Sequence, residues 1–311
     1  MDTRDRFIGC LTGLAIGDAL GTTLEFKRPG TFVPIEDMVG GGPFRLEPGQ
    51  WTDDTSMALC LADSLIQLGA FDPGDQMRRY GKWWREGYRS SRPGVCFDIG
   101  NTVRASLERF GRTRDPFAGL VDENTAGNGS LMRLAPVPMF YAGAPSEAIA
   151  KAADSSWTTH GAAEAVDACR YFAGLLVGAL RGEAKSALLA DAFDPVGNTW
   201  ELEPLAPRIR AIAAGSYKDK KAESIRASGY VVHTLEAALW AFHGSSTFKE
   251  GALLAVNLGE DADTTGAVYG QLAGAFYGAA SIPQGWRERL YDGDAITELA
   301  VQLHERQPVP H

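Results

Sequence analysis

The chain has 311 residues, 45% hydrophobic and 22% charged, the make-up of an ordinary globular protein able to bury a sizeable core. Its formal net charge of −9 argues against a nucleic-acid or anionic-membrane surface, and any phosphate-bearing ligand would need bound cations or backbone N–H groups. Cys10, Cys60, Cys96 and Cys169 form no CxxC pair and read as reduced thiols.

The opening Met1–Arg6, charged with both signs, makes a poor signal peptide. Apolar spacing predicts helices over about 5–20, 53–69, 75–88, 98–110, 130–141, 146–157, 160–181, 202–214, 229–243, 247–257, 264–279 and 293–305. Alternating strand patterns are nearly absent, and breakers such as Gly40-Gly41-Gly42-Pro43 and Pro93-Gly94 fall between helices. The uncharged run Thr264–Trp286 holds five glycines, a proline and two glutamines, too little hydrophobicity for a membrane span. These features predict a single all-α domain over 1–311, cytoplasmic and not inserted in a membrane.

The first predicted helix carries glycine at 9, 13, 17 and 21, and a late one carries it at 266, 270, 274 and 278. Four-residue spacing keeps each set on one helix face, and every interior glycine costs roughly 1 kcal/mol against alanine. Close backbone approach is the obvious return, so both helices belong in the crowded centre, where one could lie against the other.

In Trp51-Thr52-Asp53-Asp54-Thr55, the apolar stripe of the following helix steps back onto Asp53 and Asp54. The pair therefore opens a helix facing the interior, with Thr52 a plausible N-cap. Acids in a first turn complement the helix dipole, but two adjacent inward carboxylates exceed what capping needs and would repel without a cation. Glu260-Asp261-Ala262-Asp263-Thr264-Thr265 repeats the form before the second glycine helix. Such oxygen-only sets suit Mg²⁺, Mn²⁺ or Ca²⁺ rather than zinc.

The chain resembles the ADP-ribosylglycohydrolase family along nearly its whole length. The resemblance rests on Gly17-Asp18-Ala19-Leu20-Gly21 with Glu25, Trp51–Thr55, Gly127-Asn128-Gly129-Ser130-Leu131-Met132-Arg133, Thr159-His160 and Gly259–Gly266, in that order. It implies an all-α fold around a dinuclear centre of two divalent cations, Mg²⁺ or Mn²⁺. The ligands it implies are Thr52, Asp53 and Asp54 from the first cluster, with Asp261, Asp263 and Thr264 from the second. Two such ions could clamp the vicinal ribose hydroxyls of ADP-ribose.

Gly127, Asn128, Gly129 and Ser130 precede an apolar stretch and are expected to offer N–H groups to phosphate from a helix start; taken alone they also read as a turn with a serine cap. Arg133 is a further source of charge. His160 resembles the family's ligand-contacting histidine, and Tyr217 is placed over the ribose or adenine, or else as a plain loop aromatic. For proton transfer the resemblance points to Asp98, in Cys96-Phe97-Asp98-Ile99-Gly100, with Glu25 as auxiliary base or positioning group; Asp98 as a helix cap is the alternative.

The expected activity is hydrolysis of the N-glycosidic bond that joins ADP-ribose to a modified arginine of a protein, releasing ADP-ribose. Alternatives are an O-linked (serine) ADP-ribose hydrolase, a non-catalytic ADP-ribose binder or structural descendant, and a metal-dependent nucleotide phosphohydrolase.

Overall fold

The computed structural model describes residues 2–308, and among them there is no strand, only isolated bridges. Ten helices of nine residues or more follow in order: α1 (Thr3–Gly21), α2 (Asp53–Leu68), α3 (Pro73–Glu86), α4 (Asn101–Thr113), α5 (Pro145–Trp157), α6 (Ala163–Arg181), α7 (Val231–His243), α8 (Phe248–Val256), α9 (Ala262–Tyr277) and α10 (Gly293–Glu305). The fold is all-α, as the spacing predicts.

The two glycine helices meet. α1 and α9 run antiparallel with Gly9 facing Gly274, Gly13 facing Gly270 and Gly17 facing Gly266. A Cβ on Gly17 would lie 1.9 Å from the Gly266 carbonyl oxygen, and one on Gly270 would lie 2.0 Å from that of Gly13. No side chain fits, so backbone packs on backbone, and the weak propensity of glycine is offset by dispersion and Cα–H···O contacts along the seam. Gly278 belongs to a different device: it ends α9 as a C-cap at φ +79°. Every residue of α1 from Gly9 to Gly21 is buried. α10 packs on α1, while α6, α7 and α8 pack on α9. Because the pair is antiparallel, the end of α1 and the start of α9 lie side by side, and α2 begins next to them.

Two predicted helices are cut back and a third is displaced by three residues. The stretch 130–141 is helical only over Pro136–Phe140. Pro136 and Pro138 have no N–H to give to an earlier carbonyl, and the Arg133 guanidinium takes the Gly129 oxygen at 2.6 Å. Of 202–214 only Pro207–Ala213 is a continuous helix, for the same reason at Pro204 and Pro207. α4 begins at Asn101 with Gly100 in the N-cap position, so Asp98, two residues earlier at φ +59°, is no cap. The segments Lys185–Leu188, Thr199–Leu202 and Gln284–Arg289 are helical too, but too short to show a period in sequence. No described helix is long and apolar enough to cross a membrane.

Candidate active site

The seam delivers Asp18, fully buried near the end of α1. Its Oδ1 accepts from the N–H and hydroxyl of Thr52 at 2.8 and 2.9 Å, and its Oδ2 from the N–H and hydroxyl of Thr55 at 3.0 and 2.6 Å. Asp18 therefore caps α2 from a neighbouring helix, taking a first-turn N–H that has no partner within its own helix. Thr52 occupies the N-cap position without a side-chain cap bond. Its hydroxyl stands instead among Asp18 Oδ1, Asp54 Oδ2 at 3.3 Å and Asp263 Oδ2 at 3.1 Å. One hydroxyl proton cannot serve three carboxylates. Asp18 lies in the Gly17–Gly21 motif without an evident role in sequence; its signal there is an aspartate amid glycine and apolar residues inside a helix.

Around this bracket the acids converge. Asp53 and Asp54 come from the first turn of α2, Asp263 and Thr264 from that of α9, with Asp261 just before it. Glu25 comes from the loop after α1 and Asp98 from the loop before α4. One carboxylate oxygen from each of Glu25, Asp98 and Asp263 lies within 4.8 Å of the others. Thr264 Oγ1 is 3.4 Å from Asp54 Oδ2. Glu260, from the same sequence cluster, turns away to Arg226 at 2.7 Å.

Among the described residues no lysine or arginine forms an ion pair with Asp18, Glu25, Asp53, Asp54, Asp98, Asp261 or Asp263. Asp54 Oδ1, Asp263 Oδ1 and Glu25 Oε2 are buried without any hydrogen-bond partner. Burial, then mutual repulsion, pushes Glu25 up to about 10, with Asp98 and Asp261 its strongest neighbours. Asp98 is raised to about 8 by burial and then by Asp261 and Asp18. Asp53, Asp54 and Asp263 are driven well above the carboxylate range by burial first and neighbouring acids second. Burial lifts Asp18 only to about 6, because four hydrogen bonds from Thr52 and Thr55 oppose it. So much unpaired negative charge is tolerable only with protons or a cation in its midst. Orphaned carboxylate oxygens and threonine hydroxyls form the donor set of a hard divalent ion, so the residues fit such a metal.

A cleft of about 370 Å³ opens over these acids, walled by the Gly127–Gly129 turn, the start of α4 and Gly229. Asn128 gives its amide to Asp261 Oδ2 at 2.6 Å and to Thr234 at 2.8 Å, so its side chain orients an acid. The N–H groups of Gly129 and Ser130 meet no acceptor among the described residues. They belong to a turn, not to the predicted helix start, with Gly129 lining the cleft and Ser130 buried behind it. The Ser130 hydroxyl faces inward onto Ser156 at 2.8 Å. His160 lines the cleft from beneath: a Cβ on Gly129 would meet its Cε1 at 2.8 Å, so the ring supports the turn. Burial and then Arg133 push its pKa down to about 3, which keeps it neutral. Arg133 itself is buried, bonded to Gly129 O and the Thr159 hydroxyl and stacked on Tyr80, a brace and not a surface charge for phosphate.

Tyr217 lines neither this cleft nor its neighbour; it is buried against His243. Tyr230 stands in the wall instead. It borders a second cleft of about 860 Å³ that shares Thr102, Gly127 and Gly229 with the first. Its hydroxyl donates to Glu164 and accepts from Arg208 at 2.6 Å. In sequence it is an aromatic before a helical apolar run, with nothing local to mark it.

The ADP-ribosylglycohydrolase family model matches residues 1–311. The chain belongs to that family. It is 47% identical over 304 residues to the ADP-ribosylarginine hydrolase Tri1 of Pseudomonas putida (strain GB-1), covering 98% of this chain and 79% of that protein. It is 34% identical over 293 residues to the ADP-ribosyl-[dinitrogen reductase] glycohydrolase of Rhodospirillum rubrum, covering 92% and 90% respectively. A solved structure titled ADP-ribosylglycohydrolase-related protein complex superposes with a TM-score of 0.86 at 46% identity, covering 98% of this chain and 99% of that one. As a member of this family, which is metal-dependent, the chain is a glycohydrolase, and its acidic centre is a cluster able to hold a metal.

Proposed function

We propose that this glycohydrolase cleaves the N-glycosidic bond between ADP-ribose and a modified arginine of a protein, with two divalent cations, Mg²⁺ or Mn²⁺, in its acidic centre. The observation that carries the reading is five carboxylates without an ion-pair partner, Glu25, Asp53, Asp98, Asp261 and Asp263, lining a cleft that shares wall residues with a second, larger one, with buried Asp18 and Asp54 packed beside them. The arginine linkage is supported by the 47% identity to a protein named for that activity.

Thr52, Asp53, Asp54, Asp261, Asp263 and Thr264 would hold the ions. Bound cations would supply positive charge to orient the vicinal ribose hydroxyls and offset the anionic pyrophosphate. Asp18 fixes Thr52 and Asp261 is aimed by Asn128, so both clusters are pre-oriented. The unpaired N–H groups of Gly129 and Ser130 are suited to a phosphate oxygen, with His160 holding the turn in place. The rest of ADP-ribose would continue into the second cleft past Tyr230. Asp98 would move a proton to or from the leaving guanidine, and Glu25 would assist at the ribose.

The reading takes 1–311 as one domain, since α1 and α9 join the two ends of the chain in a single seam. It places the protein in the cytoplasm, in keeping with four unpaired cysteines. The partner is an ADP-ribosylated protein, and ADP-ribose is the product. The test is incubation with ADP-ribosyl-arginine and ADP-ribosyl-serine peptides, with Mg²⁺, Mn²⁺ or chelator. Metal-dependent release of ADP-ribose from the arginine peptide is expected; release from the serine peptide alone would overturn the linkage, and undiminished release in chelator the metal.

A further inference from the structure

A third cleft, of about 380 Å³, lies on the other side of Glu25 and Phe26 from the acidic centre, walled by Thr23, Lys27, Gly42 and Pro43. It meets the first cleft along the ridge formed by Glu25 and Phe26, which border both. Phe26 is 67% exposed, so its ring contributes little to the core. It is also held at φ +61°, a region where bulky residues are rare. Two flanking hydrogen bonds pin it there: Phe26 N–H to Glu260 O at 2.6 Å and Glu260 N–H to Lys27 O at 2.7 Å. The far wall is equally fixed. Thr23 Oγ1 donates to Gly40 O at 2.8 Å, Gly41 and Leu46 exchange backbone bonds, and a Cβ on Gly42 would lie 1.9 Å from Thr22 O. An exposed aromatic face is thus presented at the rim of a buried acidic site by a tied-down backbone.

We infer that this third cleft is the leaving-group subsite, in which the guanidinium of the modified arginine stacks on the Phe26 ring. The inference rests on the arginine reading above. With ADP-ribose in the first cleft and its reactive carbon near Glu25 and Asp98, the amino-acid side chain must leave across the Glu25–Phe26 ridge. A planar guanidinium is matched there on two counts: the ring face attracts cations, and the Glu25 carboxyl, which borders the cleft, offers oxygen acceptors to its N–H groups. Lys27 borders the same cleft and disfavours a second cation, so the charge belongs on the Glu25 side. A hydroxyl-linked leaving group has neither plane nor charge to gain from the ring.

The experiment compares wild type with Phe26→Ala, Phe26→Leu and Phe26→Trp. Three quantities are read: KM and kcat on an ADP-ribosyl-arginine peptide, inhibition by agmatine, and affinity for ADP-ribose. Phe26→Ala should lose roughly 3- to 30-fold in kcat/KM, mainly in KM, with a parallel weakening of agmatine. Phe26→Trp should match or exceed wild type, and Phe26→Leu should resemble alanine because it restores apolar area without a ring. ADP-ribose affinity should stay within about twofold. Unchanged KM in Phe26→Ala, rescue by leucine as complete as by tryptophan, or an equal loss of ADP-ribose affinity would each overturn the subsite. A wild-type protein that leaves the arginine linkage intact would overturn the arginine reading and the subsite with it, whereas normal wild-type cleavage with an indifferent Phe26 would overturn the subsite alone.

Discussion

Gly17→Ala tests whether the glycine seam is what brings the two acidic clusters together. The new Cβ would sit 1.9 Å from the Gly266 carbonyl oxygen and 2.8 Å from the Ala267 nitrogen, both backbone atoms that cannot swing aside. α1 and α9 would have to part by about 1.5 Å before the contact became an ordinary one. Overpacking of this kind costs roughly 1–3 kcal/mol, and the backbone-to-backbone nature of the clash puts it at the upper end. The helix propensity of alanine returns about 1 kcal/mol, leaving a net loss near 2 kcal/mol. Gly111→Ala is the control: that glycine lies in α4 with nothing within 4 Å of its added Cβ. The same substitution there should stabilise by about 0.5–1 kcal/mol. Denaturant midpoints read both signs. Parting the helices also moves the Asp18–Thr52 bracket away from Asp263, so Gly17→Ala should need at least tenfold more Mn²⁺ for half-maximal stabilisation, a shift of about 1.4 kcal/mol. An unchanged midpoint and an unchanged metal response in Gly17→Ala would refute the argument that the seam sets the site.

Asp263→Asn should lose the rise in melting temperature that Mg²⁺ or Mn²⁺ gives the wild type, yet melt higher than wild type in chelator, because it removes one buried charge among its like; a lower melting point in chelator together with a full metal response would contradict the site. Glu25 and Asp98 have folded pKa values raised to about 10 and about 8, so the proton binding that supports the metal-free fold is complete below about pH 4 and is lost as pH rises through about 8 for Asp98 and about 10 for Glu25. Metal-free protein should therefore lose stability between pH 5 and 8, and the gain on adding Mn²⁺ should widen over that window; equal gains at both ends would refute the sign. Asp98→Asn keeps shape and tolerates φ +59°, so folding and ADP-ribose affinity should hold while single-turnover hydrolysis falls by roughly 10²–10⁴-fold. Near-normal turnover would shift proton transfer to Glu25.

The helical class, the glycine faces and the two acid-rich helix starts could all be read from spacing alone, because periods of 3.6 and 4 residues are local properties of a chain. So was the inward aim of Asp53 and Asp54, by stepping back along an apolar stripe. Other roles depended on residues distant in sequence. Asp18 acquires its part only when the seam sets it against Thr52 and Thr55, 34 and 37 residues away. Asn128 becomes an aspartate's partner across 133 residues. Arg133 and Ser130, promising as phosphate contacts, are turned inward because burying a guanidinium and a hydroxyl requires partners, and Thr159 and Ser156 provide them. The same holds for Tyr217 and Tyr230: both lie in polar, glycine-containing surroundings in the sequence, and only the packing of α7 against its neighbours buries one and leaves the other in a cleft wall. Residue type and local period determine which groups are available; long-range desolvation, satisfied pair by pair in three dimensions, decides which of them reach the site.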